Sequence, residues 1–314
     1  MGSFFLFLAE RLVKKAKLCY DKVIPSPERK HCMKLTDIGT VKALMGENAF
    51  KKQFGQNFLI SEQVPRRIAE SGAAKGTLEI GPGIGTLTRE LCQNAEKVVA
   101  VEIDTTLLPI LEKTLADFDN VKVIHNDIMK VDIPALIAEE FADFSEIAVC
   151  ANLPYYITSP VLMKLLESKA PFKSITVMVQ KEVATRLSAK AGSDTYGALT
   201  AAVSYYAEVK KLFDVPAGCF MPKPKVDSAV VKLSLYEKPP VDCNEKTLFQ
   251  VIKGAFAQRR KTLVNSLSTV IGHIPKSALA EIIVSCGYPE TVRGETIDIA
   301  GFAKLANAID RYQA

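Results

Sequence analysis

The run Ala151-Asn152-Leu153-Pro154-Tyr155-Tyr156 sets an amide, a proline and an aromatic ring side by side. That combination suits one difficult task, the use of an aromatic amine as a nucleophile. The exocyclic nitrogen of adenine attacks poorly because its lone pair is delocalised into the ring. The Asn152 side-chain carbonyl and the Leu153 backbone carbonyl can accept both amino hydrogens, which favours a pyramidal nitrogen with an available lone pair. Pro154 stiffens the turn and has no N–H of its own. Tyr155 would lie against the face of the base, so positioning supplies much of the acceleration and no strong base is required. The plain alternative is an Asn-capped turn with its aromatics in a core.

Three further stretches carry nucleoside-reading chemistry. Glu79-Ile80-Gly81-Pro82-Gly83-Ile84-Gly85 is a glycine-rich turn followed by Thr86, Leu87 and Leu91 in helical spacing. Its glycines let the backbone approach a ligand closely. The third glycine comes one place too early for a dinucleotide fingerprint, so a nicotinamide enzyme fits poorly. Glu102 stands 21 positions after Gly81, where a carboxylate can accept both ribose hydroxyls. Asp127, in Asn126-Asp127-Ile128, could accept a hydrogen bond from an adenine amino group.

These residues need a frame that brings them together. Runs rich in β-branched residues predict strands at Thr77–Ile80, Lys97–Ile103, Val121–His125, Ile147–Ala151, Ile175–Val179, Ala207–Phe213 and Ser228–Leu235, with helices between them as far as residue 206. Such alternation implies a doubly wound α/β sheet, which binds ligands beyond the carboxyl ends of its strands. Each chemical stretch then falls on a strand tip.

Together, Gly81-Pro82-Gly83-Ile84-Gly85, Glu102, Asp127 and Asn152-Leu153-Pro154-Tyr155 strongly resemble the S-adenosylmethionine-dependent ribosomal RNA adenine dimethyltransferases of the KsgA type, over almost all of residues 33–314. The resemblance implies a Rossmann-like, seven-stranded class I methyltransferase sheet in residues 33–237 and a small all-helical RNA- or ribosome-binding domain in 238–314. It implies S-adenosylmethionine as methyl donor, no metal, and a cofactor site of Asn57, Leu59, Gly81, Gly83, Glu102, Asp127 and Asn152. Asn57 and Leu59 belong to a capping segment, Phe54-Gly55-Gln56-Asn57-Phe58-Leu59. Phe220, in Phe220-Met221-Pro222-Lys223-Pro224, would sandwich the target base against Tyr155. The implied substrate is a pair of adjacent adenosines in a hairpin loop near the end of 16S ribosomal RNA in the small subunit, each receiving two methyl groups. Loop bases suit this chemistry because swinging them out costs less than opening a duplex.

Arg259, Arg260 and Lys261 are expected to meet RNA phosphate, with Lys51 and Lys52 grouped beside them. Phe256, Leu263 and Leu267 recur at spacings of 7 and 4, which places them on one helical stripe with the cations between. Two departures from the family pattern stand out. Tyr156 follows Tyr155 where some relatives carry a smaller polar residue, and residues 1–32 match nothing recognisable; Met33 opens a more convincing beginning.

The whole composition agrees with such an enzyme. In 314 residues, 48% hydrophobic and 24% charged, nothing reads as disordered or collagen-like. Residues 1–60 carry 11 Lys+Arg against 5 Asp+Glu, residues 61–237 carry 19 against 23, and residues 238–314 carry 10 against 7. Basic ends around an acidic middle suit a polyanionic partner held at the periphery. The longest apolar run, residues 4–9, is far short of the roughly 20 residues of a membrane span and lacks the flanks of a secretory signal. A cytoplasmic monomer with no membrane partner is expected. Seven cysteines without C-x-x-C spacing read as reduced thiols. The competing readings are a resistance methyltransferase acting on large-subunit RNA, a DNA adenine methyltransferase, and an assembly factor whose binding outweighs its chemistry.

Overall fold

The computed structural model describes residues 33–46 and 56–313. The extension at 1–32 and the pair Lys51 and Lys52 lie outside the described residues. Leu35–Ala314 forms one compact unit.

The sheet is built from the predicted runs. A short helix α1 (Ile38–Met45) and strand β1 (Phe58–Leu59) come first, then α2 (Gln63–Gly72), β2 (Gly76–Ile80), α3 (Thr86–Asn94), β3 (Lys97–Glu102), α4 (Leu108–Thr114), β4 (Val121–His125), α5 (Ile133–Glu140), β5 (Ile147–Asn152), α6 (Thr158–Glu167) and β6 (Phe172–Gln180). After α7 (Lys181–Leu187) and α8 (Ala198–Tyr206) come β7 (Ala207–Val215), β8 (Phe220–Met221) and β9 (Ser228–Leu235). Seven strands lie in the order β4-β3-β2-β5-β6-β9-β7. β4, β3, β2, β5 and β6 run parallel, while β9 inserts antiparallel between β6 and β7. This is the class I methyltransferase sheet. Every residue of β2 is buried, as a strand covered on both faces by helices requires.

The strand order reverses between β2 and β5, and there Ile80 is in register with both Val101 and Ala151. The glycine turn, Glu102 and Asn152 therefore leave neighbouring strands at the same height, at the topological switch point where such sheets bind ligands.

One element was not anticipated. β1 pairs antiparallel with β8, with Phe58 opposite Met221 and Leu59 opposite Phe220. Two residues per strand are too few for a periodicity to show in sequence. This ribbon ties the capping segment to the stretch that follows β7.

The last four helices are α9 (Glu245–Ala257), α10 (Leu263–Leu267), α11 (Lys276–Ser285) and α12 (Ile299–Gln313). Their core, including Leu248, Ile252, Leu279, Phe302 and Leu305, also takes in Tyr196, Ala201 and Tyr205, so α8 serves both layers. The boundary expected between 237 and 238 falls in an exposed link from β9 to α9. The single stripe expected for Phe256, Leu263 and Leu267 is corrected, because α9 ends at Ala257 and Arg259, Arg260 and Lys261 lie in a turn. Buried Ser266 stands at the break. Its hydroxyl donates to the Gly254 carbonyl at 2.6 Å and accepts from the Gln258 N–H at 2.9 Å, capping the end of α9. Leu263 and Leu267 are fully buried on the next helix, against the same core.

Cys92, Cys150, Cys219, Cys243 and Cys286 are free thiols. Burial pushes the Cys92 thiol up to about 12, which keeps it protonated and unreactive.

Candidate active site

The turn after β2 holds Gly81, Gly83 and Gly85 at φ of 67°, 63° and 89°, a region that side chains with a Cβ rarely adopt. A Cβ on Gly81 would meet nothing within 4 Å, so this glycine faces open space. One on Gly83 would approach the Phe58 ring at 3.2 Å. The turn is thus free on one side and covered by the capping segment on another.

Glu102 closes the turn from the next strand. Its two carboxylate oxygens accept the Gly83 N–H at 3.2 Å and the Asp104 N–H at 2.8 Å. Burial raises its pKa, and these N–H groups oppose that rise by favouring the charged form. Asp104 is itself buried and accepts the Gln56 side-chain amide at 2.7 Å, together with the Thr106 N–H and hydroxyl. Sequence reading gave Gln56 and Asp104 no role, since a contact across 48 positions leaves no local pattern. Asp127 sits at the β4 tip, where its carboxylate accepts the Met129 N–H at 2.9 Å.

Asn152 ends β5, and its side-chain amide donates to the Asn57 backbone carbonyl at 3.3 Å. With the N–H side engaged, the carbonyl oxygen is the end left to receive hydrogens. Leu153 is held by its N–H to the Met178 carbonyl. Pro154 has φ −57° and ψ 134° and leads into a single 3-10 turn, Tyr155–Ile157. Tyr155 is half-buried, with its hydroxyl 2.8 Å from Ser228 Oγ on β9. Burial keeps that hydroxyl above the ordinary phenol range, so it is no base at neutral pH.

One pocket is lined by all of these groups: Asn57, Leu59, Gly81, Gly83, Glu102, Asp127 and the run Asn152–Tyr155. Glu79 also reaches it. It is buried, its Oε2 has no hydrogen-bond partner, and burial raises its pKa to about 8. Sequence reading left Glu79 as part of a strand.

Phe220 and Arg259 both make contacts within the chain. Phe220 is 3% exposed, packed with Leu59, Val64, Val215 and Val230, and does not line the pocket. Its apolar ring is buried in the β1–β8 ribbon, where Phe220 stands opposite Leu59. Arg259 is already engaged, donating to the backbone carbonyls of Asp194 and Tyr196 and lying 3.8 Å from Glu295. Arg260 and Lys261 beside it are exposed.

Known proteins are similar to this chain in sequence and in fold. A family model described as ribosomal RNA adenine dimethylase matches residues 47–285. "Ribosomal RNA small subunit methyltransferase A" of Geobacillus thermodenitrificans is 49% identical over 267 residues, covering 83% of this chain and 91% of that protein. Its counterpart in Bacillus cereus is 48% identical over the same share of each chain. Among solved structures, a dimethyladenosine transferase from Plasmodium falciparum superimposes with TM-score 0.68 at 26% identity, covering 82% of this chain and 98% of that one. The 23S rRNA methyltransferase ErmE gives 0.63 at 25% identity, over 81% and 100%. Fold and sequence relationship agree, and the chain belongs to the ribosomal RNA adenine dimethylase family.

Proposed function

We propose that this S-adenosylmethionine-dependent small-subunit ribosomal RNA adenine dimethyltransferase acts on two adjacent adenosines in the hairpin loop near the end of 16S RNA, making two methyl transfers to each. The observation that carries the reading is Asn152, pinned through its N–H to Asn57 with its carbonyl left over, beside Tyr155 on a nucleoside-sized pocket. The identity to small-subunit enzymes supports the choice of RNA.

The residues present fit the methyl donor. Gly81 leaves open space, Glu102 offers carboxylate oxygens at a strand tip, and Asp127 stands on the next one. Gly81, Gly83, Glu102 and Asp127 would hold the nucleoside part, with Asn57, Leu59 and Asn152 towards its other end. When bound, S-adenosylmethionine supplies an electrophilic methyl on a sulfonium.

This chain's own groups prepare the nucleophile. Asn152 Oδ1 and the Leu153 carbonyl accept the two amino hydrogens of adenine, so the nitrogen lone pair projects out of the ring plane. Tyr155 supports the base face, with its ring angle fixed by Ser228. After transfer the alkylated nitrogen is acidic and gives its extra proton to water. Arg260 and Lys261 are the exposed cations suited to RNA phosphate. S-adenosylhomocysteine is the by-product.

The test is nucleoside mass spectrometry on small-subunit particles lacking adenine dimethylation, incubated with the protein and S-adenosylmethionine. Dimethyladenosine in the terminal loop is expected. Methylation confined to large-subunit RNA supplied alongside would overturn the substrate, and binding without methylation would favour a pure assembly factor.

A further inference from the structure

Eight large apolar side chains are exposed among the described residues, and three of them, Ile103, Met129 and Tyr156, line the one pocket already described. Scattered exposed apolar residues need no explanation, whereas their gathering at a concave site does. Tyr156 is the largest of the three and is 59% exposed.

The three aromatics near the target differ in what they present. Phe220 is buried in the β1–β8 ribbon, and Tyr155 is half-buried and tied to Ser228. Tyr156 alone of the three offers an open ring, one residue beyond Tyr155 and outside the core. A base extruded into the pocket loses its stacking neighbours, and so does the nucleotide beside it. An exposed tyrosine can replace that lost stacking, whatever the base, because every base has a π-face.

We infer that Tyr156 is a stacking site for an unpaired RNA base, the one adjacent in sequence to the base held against Tyr155. The inference rests on the proposed RNA substrate. It assigns the outer tyrosine to the second adenosine while the first is being methylated. The two tyrosines then read a dinucleotide rather than a single base.

The protein contains no tryptophan, so Tyr156→Trp introduces a single tryptophan, excited selectively at its red edge, at the site. Tyr312→Trp, on the exposed face of α12, is the control. On mixing with unmethylated small-subunit particles, the fluorescence lifetime at position 156 should shorten while that at 312 stays constant. An unchanged lifetime at 156, or equal quenching at both positions, overturns the inference.

Kinetics give the second arm. Tyr156→Ala should lower kcat/KM on intact particles roughly 5- to 150-fold, the range for loss of one base–aromatic stack. On particles reconstituted with an abasic nucleotide in place of one of the two adenosines, wild type and Tyr156→Ala should methylate the remaining adenosine equally. A penalty of full size on the abasic particles would overturn the assignment. If the wild type methylated no particle at all, the substrate reading would fail, and the lifetime measurement would still decide the stacking site.

Discussion

The hydroxyl of Tyr155 and the hydroxyl of Ser228 lie 2.8 Å apart, joining the tip of β5 to the start of β9. Ser228 is fully buried and paired on both sides, with Gln180 of β6 and Val215 of β7. The Tyr155 ring is thus tied to a strand paired on both sides as well as to its own turn. Ser228→Ala removes the partner of a half-buried phenol at a cost of about 1–3 kcal/mol. The expected result is a kcat lower by roughly 5- to 150-fold with cofactor affinity unchanged. Single-turnover kinetics and cofactor calorimetry measure the two separately, and equal losses in both would mean that this end of the sheet itself had moved.

Asn152 is held differently, through a backbone atom. Its amide donates to the carbonyl of Asn57, which survives replacement of the Asn57 side chain. Asn57→Ala should therefore weaken cofactor binding while leaving kcat at saturating cofactor within about threefold. With Asn152 Oδ1 accepting an amino hydrogen of adenine as proposed, Asn152→Ala should cut methyl transfer at least about 100-fold, while affinity for small-subunit particles is retained. Filter binding and methyl-incorporation assays test the pair. If both variants lost particle binding as severely as activity, the separation of chemistry from docking would be wrong.

Much of this site was legible in the sequence because its parts sit on strand tips. All seven strands of the main sheet were found, since buried parallel strands read as unbroken β-branched runs such as Lys97-Val98-Val99-Ala100-Val101. Motif residues then followed from their place at the ends of those runs. What could not be read depends on distance in the chain. The β1–β8 ribbon joins residues over 160 positions apart, and the Gln56–Asp104 bond joins two polar residues with no shared pattern. The break after Ala257 was also hidden, because the apolar spacing across 256–267 is compatible with one helix. Only the buried Ser266 hydroxyl, taking the end of α9, reveals the turn.

That turn leaves the three cations in different surroundings. Arg259 holds the loop at 194–196 through backbone carbonyls, and the adjoining Gly192 N–H donates to the Glu295 carbonyl at 2.7 Å. Arg259→Ala should lower Tm measurably and disturb RNA binding mainly through that loss. Arg260→Gln combined with Lys261→Gln should leave Tm within about 1 °C and reduce the slope of log K against log salt by about 1–2, as expected for the loss of two phosphate contacts. Thermal unfolding and salt titrations of particle binding check both. An unchanged slope in the double variant would return these cations to an ordinary solvated surface.

Glu79 yields the last expectation, one of pH. Burial, reinforced by the charge of Glu102 and only partly offset by the Thr88 hydroxyl, lifts its pKa from 4.5 to about 8. Between those values the unfolded chain has given up a proton that the folded protein keeps. The folded state binds more protons, so this group's contribution to stability falls as pH rises through that window. Glu79→Gln preserves the shape of the neutral acid and removes the titration. Its Tm should equal that of the wild type near pH 4.5, exceed it increasingly up to pH 8, and hold a constant advantage above. A cationic ligand beside Oε2 favours the ionised form, so S-adenosylmethionine binding by the wild type at pH 7 should release a proton that the variant does not. Calorimetry in buffers of different ionisation enthalpy reads that proton directly. A Tm difference independent of pH, or identical proton release by both proteins, would show that Glu79 is already ionised in the folded chain.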